Sequence, residues 1–284
     1  MRAMRHGGRA VPTVPTVPLQ NASFVSASSR EGIPARASSE PSAEEARSLA
    51  VQALLGRLAF PVVGPAAVFF MRRVRQNRIE GLAEARRVYQ RAVRTGRPTI
   101  VCANHLTMYD SMFLHHAFGS TLDYLADFRL FSWNVPAVEN FARTPLWRAL
   151  VYLGKCIPID RAADDEHHKA VLGKISYLVA KGDVATIFPE GGRSRTGRIE
   201  VEQVTYGVGR ILASLDRPQV VCAYLRGEKQ ETYGQAPARG DRLHLRVEVI
   251  EPKTDHAGLR GARDLARQVI GKLHAMEQAH FGRV

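Results

Sequence analysis

Thr99-Ile100-Val101-Cys102-Ala103-Asn104-His105-Leu106-Thr107-Met108-Tyr109-Asp110 is the stretch on which the fold turns. Its first five residues are β-branched or apolar and read as a buried strand. The apolar pattern then resumes through Met112, Phe113, Leu114, Ala117 and Phe118 at helical spacing. His105 and Asp110 therefore fall where a strand gives way to a helix. In open α/β sheets, ligands bind beyond the carboxyl ends of the strands. A histidine placed there takes a proton from a hydroxyl, and a carboxylate beside it sets the tautomer and stabilises the imidazolium.

A second stretch repeats that grammar. Val184-Ala185-Thr186-Ile187 reads as a strand, and Phe188-Pro189-Glu190-Gly191-Gly192-Arg193-Ser194 follows as a polar, glycine-rich loop. Between the two, Gly154 to Arg161 reads as a strand ending in a charge. Helical spacing covers Leu146 to Leu153, Asp165 to Lys181, Tyr206 to Leu215 and Gly258 to Phe281. Leu122 to Ala126, Gln219 to Leu225 and Leu243 to Ile250 read as strands. Alternating strands and helices predict an α/β fold with a largely parallel or mixed sheet flanked by helices.

Ahead of this domain the composition changes. Residues 1–40 are rich in Pro, Ser, Ala and Arg without periodicity, and read as a disordered basic tail. The tail's Val-Pro-Thr repeat is no apolar signal-peptide region. Residues 41–97 form an apolar and basic helical segment, and residues 98–284 the α/β domain. Leu49 to Met71 is mostly apolar but carries Pro61 and Pro65, which predicts two short helices dipping into one leaflet. Arg72, Arg73, Arg75 and Arg78 follow at once, a cluster suited to an anionic membrane surface. Residues 1–100 hold ten of the thirteen net positive charges. The cysteines, Cys102, Cys156 and Cys222, lie in or beside apolar runs and read as free buried thiols of a reducing compartment. His115-His116 and His167-His168 lack metal-site spacing and read as helix-surface residues. Zinc-finger and RNA-recognition signatures are missing, so nucleic acid is not an expected partner.

Asn104-His105-Leu106-Thr107-Met108-Tyr109-Asp110 resembles the first block of the glycerolipid acyltransferase family, the relatives of bacterial 1-acyl-glycerol-3-phosphate acyltransferase, with Thr107 where serine is usual. Gly154 to Arg161 is similar to the second block. Phe188 to Ser194 matches the third, with Gly192 in place of threonine. Val220 to Tyr224 matches the fourth loosely, with Cys222 in place of proline. The resemblance implies acyl transfer from acyl-coenzyme A or acyl-carrier protein to the free hydroxyl of a lysophospholipid such as 1-acyl-glycerol-3-phosphate. In that reading His105 is the general base and Asp110 its orienter. Arg161, Glu190, Gly191, Gly192, Arg193 and Thr107 line the substrate site. The thioester is a co-substrate and neither a cofactor nor a metal is implied. The enzyme would sit peripherally on the inner face of the cytoplasmic membrane. Other acceptors, such as a lyso-ornithine lipid, remain open, as do a hydrolase using the same pair and a non-catalytic basic membrane-binding module.

Overall fold

A computed structural model describes residues 40–140 and 144–282; the tail lies outside them apart from Glu40. Its centre is strand β2 (Thr99–Ala103), buried along its whole length. Successive strand residues face opposite ways. Ile100 and Cys102 enter one hydrophobic core, and Val101 and Ala103 enter another. The sheet is therefore covered on both faces, which explains why β2 is an unbroken apolar run rather than an alternating one.

The six strands are β1 (Arg78–Glu80), β2, β3 (Trp133–Asn134), β4 (Val184–Ile187), β5 (Gln219–Gly227) and β6 (Arg242–Ile250). They lie in the order β1-β6-β5-β2-β4-β3. β3, β4, β2 and β5 run parallel, and β6 pairs antiparallel with β5. The carboxyl ends of β2, β3 and β4 thus open on one edge. Helices α6 (Asp165–Ala180), α7 (Gly207–Ser214) and α8 (Gly258–Phe281) supply Val171, Ile175, Val208, Ile211 and Leu265 to the core of Ile100. Helices α2 (Leu82–Arg94) and α3 (Asp110–Phe118) supply Tyr89, Phe113 and Leu114 to the other. β1 and α2 precede residue 98 in sequence yet belong to the sheet and its cover.

Three expectations change. Leu49 to Met71 is not two short helices. It belongs to a single helix, α1 (Ala43–Phe69), which passes through Pro61 and Pro65 and ends in a π-helical turn, Phe70–Val74. Ser42 caps its start reciprocally with Glu45. Each proline removes one backbone donor, but the remaining ladder and the packing of one face carry the helix on. Gln52, Gly56 and Phe60, four apart, are buried on that face. Gln52 donates to the carbonyls of Tyr152 and Cys156, each at 2.9 Å. A Cβ on Gly56 would lie 2.6 Å from Leu153 O, so α1 touches α5 (Pro145–Leu153) through a glycine. Leu54, Leu58, Val62 and Phe69 are left exposed.

Leu122 to Ala126 is not a strand but lies in helix α4 (Thr121–Ala126), because Ser120 and Asp123 form a capping box. Gly154 to Arg161 forms no strand. It touches the sheet edge only through isolated bridges, Asn134 with Cys156 and Ala137 with Ile159. Lys155 has φ +52°, and Pro158 has no donor, so no continuous ladder forms.

Candidate active site

β2 delivers His105 to the sheet edge, and the turn after it folds back so that α3 begins at Asp110. The five-residue spacing closes because the Asp110 carboxylate gathers the whole turn. Its Oδ2 accepts from Leu106 N at 2.7 Å and Thr107 N at 2.8 Å, and lies 3.0 Å from His105 Nδ1. Its Oδ1 accepts from Thr107 Oγ1 at 2.5 Å. A carboxylate so supplied with donors is fixed in one orientation. With Asp110 accepting from Nδ1–H, the His105 Nε2 lone pair is left for another partner.

The third block braces this turn. Glu190 Oε1 accepts from His105 N at 2.9 Å, and Ser194 N donates to His105 O at 2.9 Å. Phe188 stacks on the imidazole with ring centres 4.1 Å apart. Burial pushes the Glu190 carboxyl up to about 7, against the His105 N–H, which lowers it, with the negative charges of Glu277 and Asp110 adding to the rise. Gly191 has φ +68°, and a Cβ there would meet Thr205 Cγ2 at 2.4 Å, so only glycine fits that bend.

One cavity reaches His105, and a second shares part of its lining. The first, of about 480 Å³, is lined by His105, Arg161, Gly191, Gly192, His168 and Arg210. A Cβ on Gly192 would stand 3.9 Å from Arg161 Nη1, so the glycine lies alongside the guanidinium. The second, of about 1230 Å³, lies against α1 and includes Arg193. Met108, Ser111, Asn134 and Pro136 line both. Arg161 and Arg193 thus do not face each other across one cavity. Arg193 Nη1 donates to Gly234 O at 2.9 Å and its guanidinium lies over Tyr233. Thr107 is fully buried, its hydroxyl held by Asp110.

The histidine pairs are not simple surface residues. His115 has Ser111 O 2.7 Å from Nδ1 and Ser132 O 3.2 Å from Nε2, and burial holds it down at about 4. His167 accepts from Asp160 N, and His168 pairs with Asp160 O at 2.9 Å, so both secure the turn that carries Arg161. The junction residues Ser111 and Asn134 escaped the sequence reading. Ser111 directly follows Asp110, but neither residue carries a spacing signal. Glu80, Glu228 and His244 bring metal-ligating atoms within 4.8 Å of one another. Arg242 lies within ion-pair distance of both of their carboxylates, and the group lines neither cavity.

No curated protein matches the chain. Residues 85–225, from within α2 to the middle of β5, match the family model described as Acyltransferase. That span holds His105, Asp110, Arg161 and the Glu190 loop, and leaves α1 outside it. Over these residues the chain carries an acyltransferase-family domain.

Proposed function

We propose that the protein transfers an acyl group from acyl-coenzyme A or acyl-carrier protein to the free hydroxyl of a lysophospholipid, 1-acyl-glycerol-3-phosphate giving phosphatidate. The observation that carries this reading is the 3.0 Å contact of His105 Nδ1 with a saturated Asp110 carboxylate, on the rim of a cavity. His105 Nε2 takes the hydroxyl proton as the oxygen attacks the thioester carbonyl. The tetrahedral intermediate collapses, the C–S bond breaks, and the imidazolium returns the proton to the leaving thiolate. Asp110 holds the ring and balances its transient charge.

Direct attack, without an acyl-enzyme, is supported by the state of the thiols. Burial pushes Cys102 well above its usual range, and Cys156 and Cys222 up to about 12. A thiol kept neutral is a poor nucleophile. Arg161 supplies a guanidinium to phosphate oxygens in the His105 cavity, and Gly191 and Gly192 leave room beside it. Glu190 and Thr107 act by bracing the turn that carries His105.

The exposed apolar row of α1 and the Arg72, Arg73 and Arg78 cluster support a peripheral position on an anionic bilayer, which we take to be the inner face of the cytoplasmic membrane. The helix is long and apolar enough to cross a bilayer. Packing of one face on α5 and α4 through Gln52, Gly56 and Phe60 favours lying along the interface. Gly192, standing where threonine is usual, favours a second reading with a different lysolipid acceptor, such as a lyso-ornithine lipid. One assay separates them. The protein is given acyl-coenzyme A or acyl-carrier protein with a panel of lysolipids, and product formation is followed. Phosphatidate formed fastest from lysophosphatidate supports the first reading. Acylation of a phosphate-free acceptor alone overturns it, and thioester consumption without any acceptor indicates a hydrolase.

A further inference from the structure

The cavity beneath α1 has a lining that the reaction by itself does not explain. Ala59, Phe60, Val63 and Ala67 of α1 make one wall. Arg72, Arg78, Arg86 and Arg193 also line it, and no Asp or Glu does. Arg86 donates to His116 O at 2.9 Å and Ala117 O at 3.3 Å, and Arg193 keeps donors beyond the one it gives Gly234 O. Arg72, Arg78 and Arg193 form no ion pair among the described residues.

Distant parts of the chain meet here because one loop, residues 234–241, holds them. Arg193 donates to Gly234 O, and Gln235 O accepts from Met108 N at 3.2 Å. Asn77 Nδ2 donates to Ala238 O at 2.7 Å, and Arg78 N donates to Asp241 O at 3.2 Å. The basic segment after α1 and the arginine of the Glu190 loop are thus fixed on one support. The positive field is felt at His116, which burial first, then Arg86 and Arg72, hold down at about 4. Guanidiniums gathered beside an apolar wall, without carboxylates, repel one another until an anion joins them. The wall favours an anion that carries a hydrocarbon chain.

We infer that the α1 cavity binds a single-chain lipid bearing a phosphate, its headgroup on Arg72, Arg78 and Arg193 and its chain along the inner face of α1. Identifying this lipid with the acyl acceptor rests on the acyl-transfer reading. The lipid's glycerol then points to Met108 and Ser111, where the two cavities meet beside His105. Arg161, in the other cavity, is left to the phosphates of the thioester carrier.

The test uses the full chain with His105→Ala, which does not turn over under the proposed mechanism. It is titrated below micelle-forming concentration with lysophosphatidate, lysophosphatidylcholine and inorganic phosphate. Lysophosphatidate should bind best, and Arg72→Ala and Arg78→Ala should each weaken it by about tenfold, the loss of one charge-assisted contact. Arg73→Ala, on the same exposed segment but outside the cavity, should leave affinity unchanged. Equal losses from Arg73→Ala mean diffuse attraction and overturn the site. Inorganic phosphate binding as tightly as the lysolipid makes it a free-phosphate site and overturns the lipid. Arginine-dependent lipid binding in a protein whose wild type transfers no acyl group supports the site while removing the acyl-transfer reading.

Discussion

The turn that holds His105 and the segment that holds Arg161 are built in opposite ways. The first is tied down at every atom that matters. Asp110 gathers two backbone N–H groups, a hydroxyl and the imidazole, and the Glu190 loop pins the His105 main chain on both sides. The second is anchored at its start by the buried Lys155–Asp183 pair, but its far end hangs on isolated bridges and the His167 and His168 contacts, and Arg161 itself is exposed without an ion pair among the described residues. The proposed roles account for the difference. A base misplaced by an ångström loses much of its rate, so it must be preorganised. A guanidinium that grips a phosphate reaches its ligand on a flexible stem, and rigid placement gains it less.

The contrast is broken first at Asp110. Asp110→Asn keeps the shape, and its oxygen still accepts from the two N–H groups, but the charge facing the imidazolium is gone. The expected result is a fall in kcat of about a hundredfold or more with little change in substrate KM, read by steady-state acyl transfer. The same experiment on the loosely held side should look different. Arg161→Ala should raise the KM for the acyl thioester roughly tenfold while kcat stays within about twofold. A fall confined to kcat would mean that Arg161 acts in the chemical step, and the two regions would not divide the work as described.

The glycines sharpen the comparison. Gly191 is fixed by its φ of +68° and by Thr205 Cγ2, 2.4 Å from where a Cβ would lie. Gly191→Ala should lower stability by about 1–3 kcal/mol in a denaturant melt. Gly192 faces Arg161 with ordinary contact room, so Gly192→Thr should stay within about 0.5 kcal/mol of wild type. Any change in its acceptor preference would locate the acceptor beside Arg161 rather than under α1.

The smallest effect is on pH dependence. Burial raises the Glu190 carboxyl from its ordinary 4.5 to about 7. The folded protein therefore holds the proton more tightly. This group's contribution to stability is complete below about 4.5 and is lost as pH rises through about 7. Glu190→Gln should remove that slope in melts taken across this window while keeping an acceptor for His105 N–H. An unchanged slope would show that the carboxyl is ionised throughout.

What was legible in the chain was whatever local chemistry dictates. The run Thr99 to Ala103, the His105–Asp110 turn, α6, α8 and the Glu190 loop all follow from pattern and turn residues near in sequence. What was not legible depends on partners far away. α1 continues through Pro61 and Pro65 because one face packs on α5 through Gly56, which no proline rule includes. Arg161 and Arg193 both follow strand-like runs, and their positions in sequence do not separate them. Which cavity each lines is decided by Gly234, some forty residues beyond Arg193. The capping box that makes Thr121–Ala126 a helix was local and readable, yet its alternating residues also fit a strand.

The central claim is that His105 is the base of a direct acyl transfer. The measurement is phosphatidate formation from acyl-coenzyme A, or acyl-carrier protein if that is the active donor, and lysophosphatidate in vesicles, wild type against His105→Ala. The account predicts that the variant loses at least about a hundredfold in rate while still binding both substrates, and that neither protein accumulates an acylated form. A variant as active as wild type, or an acyl-enzyme trapped on wild type, would contradict it.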